Sequence, residues 1–382
     1  MPNASSKWKR PNWVLGKVIP ALLVLFGVTG YRLVFSSVCK SSILSSIIVA
    51  RSLMLHLFQI LSRAPKKAPR AVEERRVVYA CDAAGGPMRC FQDDCDGSFV
   101  SLRTRHCRDC RRCQPRFDHH CAFMDNCVQA ETFKDFVLFI LYAVLLLGVA
   151  LVPLAPLQLR AFREVIDTTW TSDALEQAWW GRPWRSWLGG PVWHYAGAVV
   201  LGFYHYPSLS TDRPFLVPGV RVRRFVRGGV VYEFDEPLYP ALAVPNLATL
   251  AIVSFATLIA LIGISMLVVI SLNARRGFSA VQVERIRRWR ANPTGYDARI
   301  RLWIPLPPAD DPKGHANPAR GAVVAVDPDT PLFDFGLGKN WRYLMGERWW
   351  QWFIPTKPSH SDDFEINPTV LAHLQAVARK SL

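Results

Sequence analysis

The hydrophobic positions of this chain are concentrated in two long runs that contain no Asp, Glu, Lys or Arg. The first run covers residues 136–158 and the second covers residues 247–272. Each run exceeds the roughly 20 apolar residues that a helix needs to cross the hydrocarbon core of a bilayer. The pattern therefore predicts two transmembrane helices and argues against a purely soluble protein.

Two weaker hydrophobic stretches lie nearer the N-terminus, at 13–35 and 41–62. The first has an uncharged centre and basic residues only near its ends, from which long side chains can extend to the membrane interface. The second carries Arg51 and His56 near its middle, and an arginine at mid-bilayer costs at least about 2.5 kcal/mol. We predict that both stretches span the membrane; for 41–62, an amphipathic helix lying in the interface is the alternative.

Four spans would place the N-terminus, the segment 63–135 and the tail on one side of the membrane. This side is the cytosol, because the segment and the start of the tail are rich in Lys and Arg. The predicted fold is an α-helical polytopic membrane protein, multi-pass in an endomembrane or the plasma membrane. Its parts are a cytosolic N-terminus with two transmembrane helices (1–62), a cytosolic cysteine-rich domain (63–135), a third transmembrane helix (136–158), a lumenal insertion (159–245), a fourth transmembrane helix (246–272) and a cytosolic tail (273–382).

One further apolar stretch, at 192–206, is predicted to belong to the lumenal insertion. It is short and contains Gly197 and Gly202, so it does not meet the length expected of a fifth span.

The composition narrows the class of protein further. Half of the 382 residues are hydrophobic, and 46 Lys and Arg stand against 30 Asp and Glu, which gives a formal charge of +16. These values exclude a wholly disordered chain and a collagen-like repeat. A basic surface also suits nucleic acid, but here the basic clusters lie beside predicted spans, where anionic lipid is the simpler partner. We therefore expect the lipid bilayer as a partner and no nucleic acid.

Seven of the nine cysteines fall within residues 90–127, together with His106, His119 and His120. Such a dense cluster indicates metal binding or thiol chemistry, and thiols used in this way belong in a reducing compartment. A structural zinc ion takes four Cys or His ligands, so two ions would use eight of these ten residues and leave two. Zinc would have a physical purpose, because a window of mostly polar residues cannot bury enough apolar surface to fold alone.

A short motif, DHHC, stands at residues 118–121, after HCRDCRRC at 106–113 and before NCV at 126–128. This pattern resembles the DHHC protein S-acyltransferases, or palmitoyltransferases, and we identify the chain as a divergent, fungal-type member of that family. Two tail segments resemble further elements of the family, GLGKNW at 336–341 and VQVE at 281–284. The family's four spans, with a cysteine-rich domain between the second and third, agree with the arrangement predicted here.

The resemblance implies a function and a role for each residue of the window. It assigns one structural zinc ion to Cys90, Cys95, His106 and Cys113, and the other to Cys107, Cys110, His120 and Cys127. It leaves Cys121 as the nucleophile, His119 as the general base and Asp118 as the residue that orients His119. The implied reaction is ping-pong acyl transfer from an acyl-CoA, palmitoyl-CoA, first to Cys121 and then to cysteines of membrane-associated proteins.

The chain departs from the family's usual residues at several positions. Ala122 stands in place of a proline, and Gln129 and Thr132 stand in place of a glycine and an asparagine. The VQVE segment lacks the two threonines that usually precede its glutamate. The spacing between Cys90 and Cys95 is four residues instead of two.

Two other functions are compatible with parts of the pattern. A membrane-anchored zinc-finger adaptor without catalysis is the alternative from a different class, although it has no need of Cys121 next to His119. A transporter would be expected to show inverted repeats or paired broken helices, and the sequence shows neither. Arg108, Arg111 and Arg112 could pair with the phosphates of CoA, as could Arg116, or remain solvated near anionic lipid.

Overall fold

The computed structural model describes residues 77–129, 131–181, 190–209, 220–227, 230–237, 245, 247–292, 299–306, 321–353 and 366–381. The two helices predicted within 1–62 lie outside these residues. The chain forms two compact units, which divide after residue 141 and again after residue 264. The first unit contains residues 77–141 and the described residues from 265 onward, and the second contains the described residues of 142–264.

The cysteine-rich window, residues 90–127, is formed of short antiparallel two-stranded ribbons. In chain order the strands within residues 77–129 are β1 (Tyr79–Ala80), β2 (Arg89–Cys90), β3 (Ser98–Phe99), β4 (Arg105–Cys107), β5 (Arg112–Gln114), β6 (His119–Cys121) and β7 (Asn126–Val128). Strand β2 pairs with β3, β4 with β5 and β6 with β7. An isolated two-stranded ribbon is marginally stable at best in water, so these three ribbons need additional cross-links.

Six helices are described in the chain. They are α1 (Phe133–Thr171), α2 (Gly190–Leu209), α3 (Leu247–Arg275), α4 (Ala280–Ala291), α5 (Leu337–Met345) and α6 (Pro368–Lys380). Shorter helical turns lie at Asp93–Cys95, Asp173–Leu175, Glu176–Trp180 and Trp349–Phe353.

Two stretches among the described helices are long and apolar enough to cross a membrane, Phe133–Val152 in α1 and Leu247–Arg275, which is α3. They coincide with the two strongest hydrophobic runs of the sequence. Helix α1 continues beyond the end expected at residue 158 and reaches Thr171. Polar side chains end a hydrophobic run without ending the backbone hydrogen bonds of a helix, so hydropathy alone underestimates its length.

A three-stranded antiparallel sheet joins the start of the cysteine-rich window to the tail. Its strands are β1, β10 (Ile300–Pro305) and β11 (Gly321–Val326), with β10 at the centre. Leu302 and Ile304 alternate along β10 and are fully buried, as the two-residue period of a strand requires. Helix α6 covers this face with Leu374 and Ala378 and completes the hydrophobic core.

The second unit contains helix α2 and an antiparallel hairpin of β8 (Val220–Arg227) and β9 (Val230–Pro237). The glycines that were expected to interrupt the apolar stretch at 192–206 lie inside α2. A Cβ atom on Gly202 would lie 2.2 Å from Thr169 Oγ1. This glycine is therefore explained by the close approach of α1 and α2 within this unit.

Candidate active site and metal centres

The first Cys/His cluster consists of Cys90, Cys95, His106 and Cys113. The ligand atoms of the four residues lie within 4.8 Å of one another. His106 and Cys113 face each other across the β4–β5 ribbon, and His106 Nδ1 lies 3.5 Å from Cys90 Sγ and 3.3 Å from Cys95 Sγ. The other ring nitrogen, Nε2, lies 3.1 Å from an Asp93 carboxylate oxygen, which is the type of contact that orients a metal-binding histidine.

A helical turn accommodates the four residues between Cys90 and Cys95. Residues Asp93–Cys95 form a single 3₁₀ turn, and Asp96 follows it with a left-handed backbone, φ 44°. The Gly97 N–H then donates to the Cys90 carbonyl oxygen at 2.9 Å. The chain thereby doubles back, so both sulfur atoms reach the same cluster.

The second cluster consists of Cys107, Cys110, His120 and Cys127. His120 and Cys127 face each other across the β6–β7 ribbon. The Cys110 N–H donates to Cys107 Sγ at 3.5 Å, as expected of a Cys-x-x-Cys turn whose two sulfur atoms converge on one ion. His120 Nδ1 lies 3.6 Å from the sulfur atom of each of the three cysteines.

Either cluster could hold one metal ion. The donor set of three sulfur atoms and one imidazole nitrogen is that of a closed, tetrahedral zinc site. Hydrogen bonds with Cys110 and Cys127 lower the pKa of Cys107, whereas hydrogen bonds with Cys107 and Cys110 raise the pKa of Cys127. Ionisation of one thiol in the second cluster thus disfavours ionisation of another. A bound cation would allow several of them to be thiolates at the same time.

Residues His119 and Cys121 lie on the opposite face of strand β6 from His120. Successive side chains of a strand point to opposite faces, so the placement of His120 in the second cluster directs its two neighbours away from it. The Cys121 side chain is buried and belongs to neither of the two clusters found among the described residues. Its thiol is therefore available for chemistry other than metal binding.

Asp118 and His119 form a hydrogen-bonded pair, and Cys121 lies on the same strand as His119. His119 Nδ1 lies 2.9 Å from Asp118 Oδ2. Burial on its own lowers the pKa of His119, but the hydrogen bonds with Asp118 and with Cys121 outweigh it and raise this pKa to about 9. The ring of Phe136 packs edge-on against the His119 imidazole, at 5.3 Å between centroids. A thiol, an imidazole and a carboxylate in this order are the residue types that a nucleophile, a base and an orienting group would require.

The carboxylate of Asp118 is held in place by helix α4. The Ala280 backbone N–H donates to Asp118 Oδ1 at 2.7 Å, at a helix N-terminus, where the dipole favours a negative charge. Ser279 caps this helix, and a reciprocal bond from Gln282 forms a capping box. The sequence pointed to this segment only through the VQVE resemblance, and no local signal indicated a contact with Asp118.

Asn340 connects the tail to the end of the long apolar helix α3. Its buried amide nitrogen donates to the Arg275 carbonyl oxygen at 3.1 Å and to Asp334 Oδ1 at 2.9 Å. Its amide oxygen accepts a hydrogen bond from the Phe335 N–H at 2.9 Å. This explains why an asparagine stands in the GLGKNW segment.

Two arginines of the window pack against aromatic rings of the tail. Arg103 lies 4.1 Å from the centroid of Phe333, and Arg116 lies 4.1 Å from the centroid of Tyr343. These stacked pairs and Asp118 line a cavity of about 60 Å³. Arg116 therefore contacts the tail, and its pairing with a CoA phosphate stays a prediction.

Thr132, one of the departures from the family pattern, supports a residue of the second cluster. Its hydroxyl donates to the Cys127 carbonyl oxygen at 3.0 Å and accepts from the Gln129 N–H at 3.1 Å. The side chain is fully buried. The threonine thus fixes the backbone on which Cys127 is carried.

Comparison with known proteins finds similar sequences for the cysteine-rich part of the chain. Residues 90–204 match the family described as DHHC palmitoyltransferase. The chain is 31% identical over 136 residues to palmitoyltransferase spe-10 of Caenorhabditis elegans, a match that covers 36% of each chain. It is 47% identical over 51 residues to probable protein S-acyltransferase 15 of Arabidopsis thaliana, covering 13% of this chain and 20% of the relative.

A fungal protein is also among the similar sequences. Over 40 residues the chain is 52% identical to palmitoyltransferase akr1 of Emericella nidulans, which covers 10% of this chain and 5% of the relative. In these three comparisons the match spans about a third or less of the relative's length. Residues 90–204 of this chain are therefore similar to the DHHC palmitoyltransferase domain.

Proposed function

We propose that this protein is a protein S-palmitoyltransferase that works through an acyl-Cys121 intermediate. The observation that carries the proposal is the position of Cys121, which shares strand β6 with the His119 imidazole held by Asp118 and lies outside the two clusters that could hold metal ions. A thiolate is the attacking form of cysteine, and an adjacent histidine is the usual means of generating it.

The first half of the reaction would load the enzyme. Because Nδ1 of His119 faces Asp118, Nε2 is the nitrogen left to remove the Cys121 proton. The thiolate attacks the thioester carbonyl of palmitoyl-CoA, the carbon–sulfur bond to CoA breaks, and the departing CoA thiolate takes a proton from the His119 imidazolium. Asp118 stabilises that imidazolium and holds the ring in one orientation.

The second half would transfer the acyl group to a protein. His119 accepts the proton of the acceptor cysteine, whose thiolate attacks the thioester on Cys121. The bond to Cys121 breaks, and the Cys121 thiolate recovers the proton from His119. The product is an acylated protein cysteine, and the enzyme returns to its starting state. We expect the acceptors to be membrane-associated proteins.

Two zinc ions are proposed as structural cofactors, one in each cluster. Their ligands would be Cys90, Cys95, His106 and Cys113 for one, and Cys107, Cys110, His120 and Cys127 for the other. When bound, zinc would keep the ligand cysteines as thiolates and cross-link the ribbons. Both steps of acyl transfer are performed by Asp118, His119 and Cys121.

The membrane arrangement proposed for the chain is that of four transmembrane helices, with the cysteine-rich domain and both termini on the cytosolic side. Support comes from the two apolar stretches in α1 and α3 and from the basic residues that flank them. A palmitoyl chain placed among such helices would gain about 0.8 kcal/mol per buried methylene. This arrangement would keep the reacting thioester at the cytosolic edge of the bilayer.

The proposal is tested by incubating the purified full chain with radiolabelled palmitoyl-CoA. Wild-type protein should acquire label that hydroxylamine releases, as a thioester does, and Cys121→Ser should acquire none. Cys81→Ser is the matched control, because Cys81 is also buried and outside both clusters, and burial together with Asp82 raises its pKa to about 11. Equal labelling of wild type and Cys121→Ser would refute the assigned nucleophile.

An experiment with isolated acyl-enzyme distinguishes an enzyme from a zinc-finger adaptor without catalysis. If the label moves from the washed protein to a cysteine peptide in vesicles, the two-step transfer is supported. An adaptor would show neither labelling nor transfer and would have no use for the hydrogen bond between His119 and Asp118.

A further inference from the structure

A groove of about 600 Å³ opens beside the end of helix α3 in the first unit. Three arginines line it, Arg276 just after α3 and Arg287 and Arg290 on α4. Apolar side chains form part of its wall, among them Phe278 and Val283. The groove therefore combines positive charge with hydrophobic surface, and it has no part in the acyl-transfer scheme.

Two of the three guanidinium groups have no partner among the described residues. Arg290 Nη2 lies 3.5 Å from Asp329 Oδ2 and is paired. Arg276 and Arg287 are exposed, and within the described part of the chain neither side chain has a hydrogen-bond or ion-pair partner. The second acidic residue of the groove, Asp334, accepts hydrogen bonds from the Gly336 N–H and the Asn340 amide through Oδ1.

The backbone turn between α3 and α4 fixes the position of Arg276 relative to Arg287. The turn between α3 and α4 contains Gly277 with φ 66°, where a Cβ atom would lie 2.1 Å from the Phe333 carbonyl oxygen. The Phe278 N–H closes this turn on the Asn273 carbonyl oxygen at 3.1 Å. Along α4, side chains three and four residues apart share one face, which places Arg287 on the same face as Val283.

The chemistry of the groove fits a phosphate group attached to an apolar body. A guanidinium pairs with phosphate through two parallel hydrogen bonds. Residues 273–291 contain six arginines and a single glutamate, and they begin in the last turn of the apolar helix α3. Basic segments at the cytosolic end of a membrane helix meet the anionic headgroups of that leaflet.

We propose that this groove binds one anionic phospholipid, with its headgroup phosphate between Arg276 and Arg287 and its glycerol backbone against Phe278 and Val283. The proposal rests on the membrane placement of α3 given above and is independent of the acyl-transfer reaction. A bound lipid would hold the turn between α3 and α4, and with it the Ala280 N–H that contacts Asp118, at the membrane surface.

The experiment is lipid counting by native mass spectrometry on the full chain purified in a non-ionic detergent. Dioleoyl phosphatidic acid should give one bound lipid per chain at a concentration where dioleoyl phosphatidylcholine gives almost none. The double variant Arg276→Gln/Arg287→Gln should weaken the phosphatidic acid adduct by at least about tenfold, since two charge-assisted contacts are lost. Labelling by palmitoyl-CoA is measured separately, so failure of catalysis and failure of lipid binding are distinguishable.

Arg288→Gln is the matched control, because Arg288 is on the same helix but pairs with Glu284 at 2.8 Å. It should retain the lipid; equal loss in Arg288→Gln would show that general positive charge, and not this groove, attracts the lipid. Unchanged binding in the double variant would also overturn the proposal. Hydrogen exchange on the wild-type chain gives a test without any variant, since phosphatidic acid should slow exchange in residues 273–291 and phosphatidylcholine should not.

Competition identifies the source of the phosphate. Neither inorganic phosphate nor coenzyme A should displace the phosphatidic acid beyond the effect of chloride at the same ionic strength. Displacement by either one would mean that the groove takes a soluble phosphate group, and the assignment to lipid would be wrong.

Discussion

The backbone N–H of Ala280 donates a hydrogen bond of 2.7 Å to the carboxylate of Asp118, which lies 162 positions earlier in the chain. Through this bond the first residue of α4 holds the carboxylate whose other oxygen lies 2.9 Å from His119 Nδ1. The geometry around Asp118 therefore depends on the tail as well as on the cysteine-rich window.

The carboxylate of Asp118 should be required for fast acyl transfer. Asp118→Asn keeps the size of the side chain but removes the charge that stabilises the His119 imidazolium. We expect the rate of labelling at Cys121 to fall by about 10²- to 10⁴-fold, the range for loss of a triad or general-base component. The measurement is single-turnover labelling with palmitoyl-CoA, with zinc content as the folding control. A rate within a factor of two or so of wild type would rule out the orienting role.

Metal content should distinguish the cluster cysteines from the nucleophile. Cys107→Ala removes one of four proposed ligands and should lower bound zinc from about two ions per chain to about one, with unfolding of the β6–β7 ribbon. Cys121→Ser should keep both ions and a folded window. Elemental analysis of the purified variants provides the measurement, and loss of zinc from Cys121→Ser would mean that Cys121 is a ligand.

The buried amide of Asn340 should matter for stability. Asn340→Ala leaves the Arg275 carbonyl and the Phe335 N–H without their partner, at a cost of about 1–3 kcal/mol. The midpoint of thermal unfolding in detergent should fall accordingly. Lys339→Ala, an exposed neighbour on the same helix, serves as the control and should unfold like wild type. Identical midpoints for both variants would contradict the anchoring role of Asn340.

The hydroxyl of Thr132 should stabilise the second cluster. Thr132→Val keeps the shape but removes the hydrogen bonds to Cys127 and Gln129, which should cost about 1 kcal/mol and make zinc easier to extract with a chelator. Thr132→Ser keeps the hydroxyl and should release zinc more slowly than Thr132→Val. The rate of zinc transfer to a colorimetric chelator is the readout, and if valine and serine variants lose zinc equally fast, the hydroxyl has no such role.

Two helices and the resemblance to a family could be predicted from local sequence. The two strongest apolar runs predicted helices that the structure contains, because about 20 consecutive apolar residues leave few alternatives to a membrane-spanning or buried helix. The resemblance to the DHHC palmitoyltransferases was also predicted from the DHHC motif and its flanking cysteines, and the match of residues 90–204 to that family confirmed it. The assignment of individual residues to catalysis and to zinc remains a prediction, although the structure gathers the eight proposed zinc ligands into two groups of four.

The alternation of side chains along a strand explains why local sequence was informative in the window. Neighbours such as His120 and Cys121 must point in opposite directions, so adjacency alone indicated that they serve different purposes. The continuation of α1 to Thr171 was not predicted, because a change from apolar to polar side chains does not interrupt backbone hydrogen bonds.

What the sequence determined by itself is the chemistry: which residue types are present, at which spacing, beside which apolar runs. Only the tertiary structure decided how the tail completes the site, through the Ala280 bond to Asp118, the Asn340 bond to Arg275 and the sheet that pairs Tyr79 with Trp303. The physical reason is that every residue carries the same backbone carbonyl group, and every residue except proline carries the same backbone N–H. A long-range bond to such a group therefore leaves no mark in the amino-acid sequence, whereas periodic hydrophobicity and clustered thiols do.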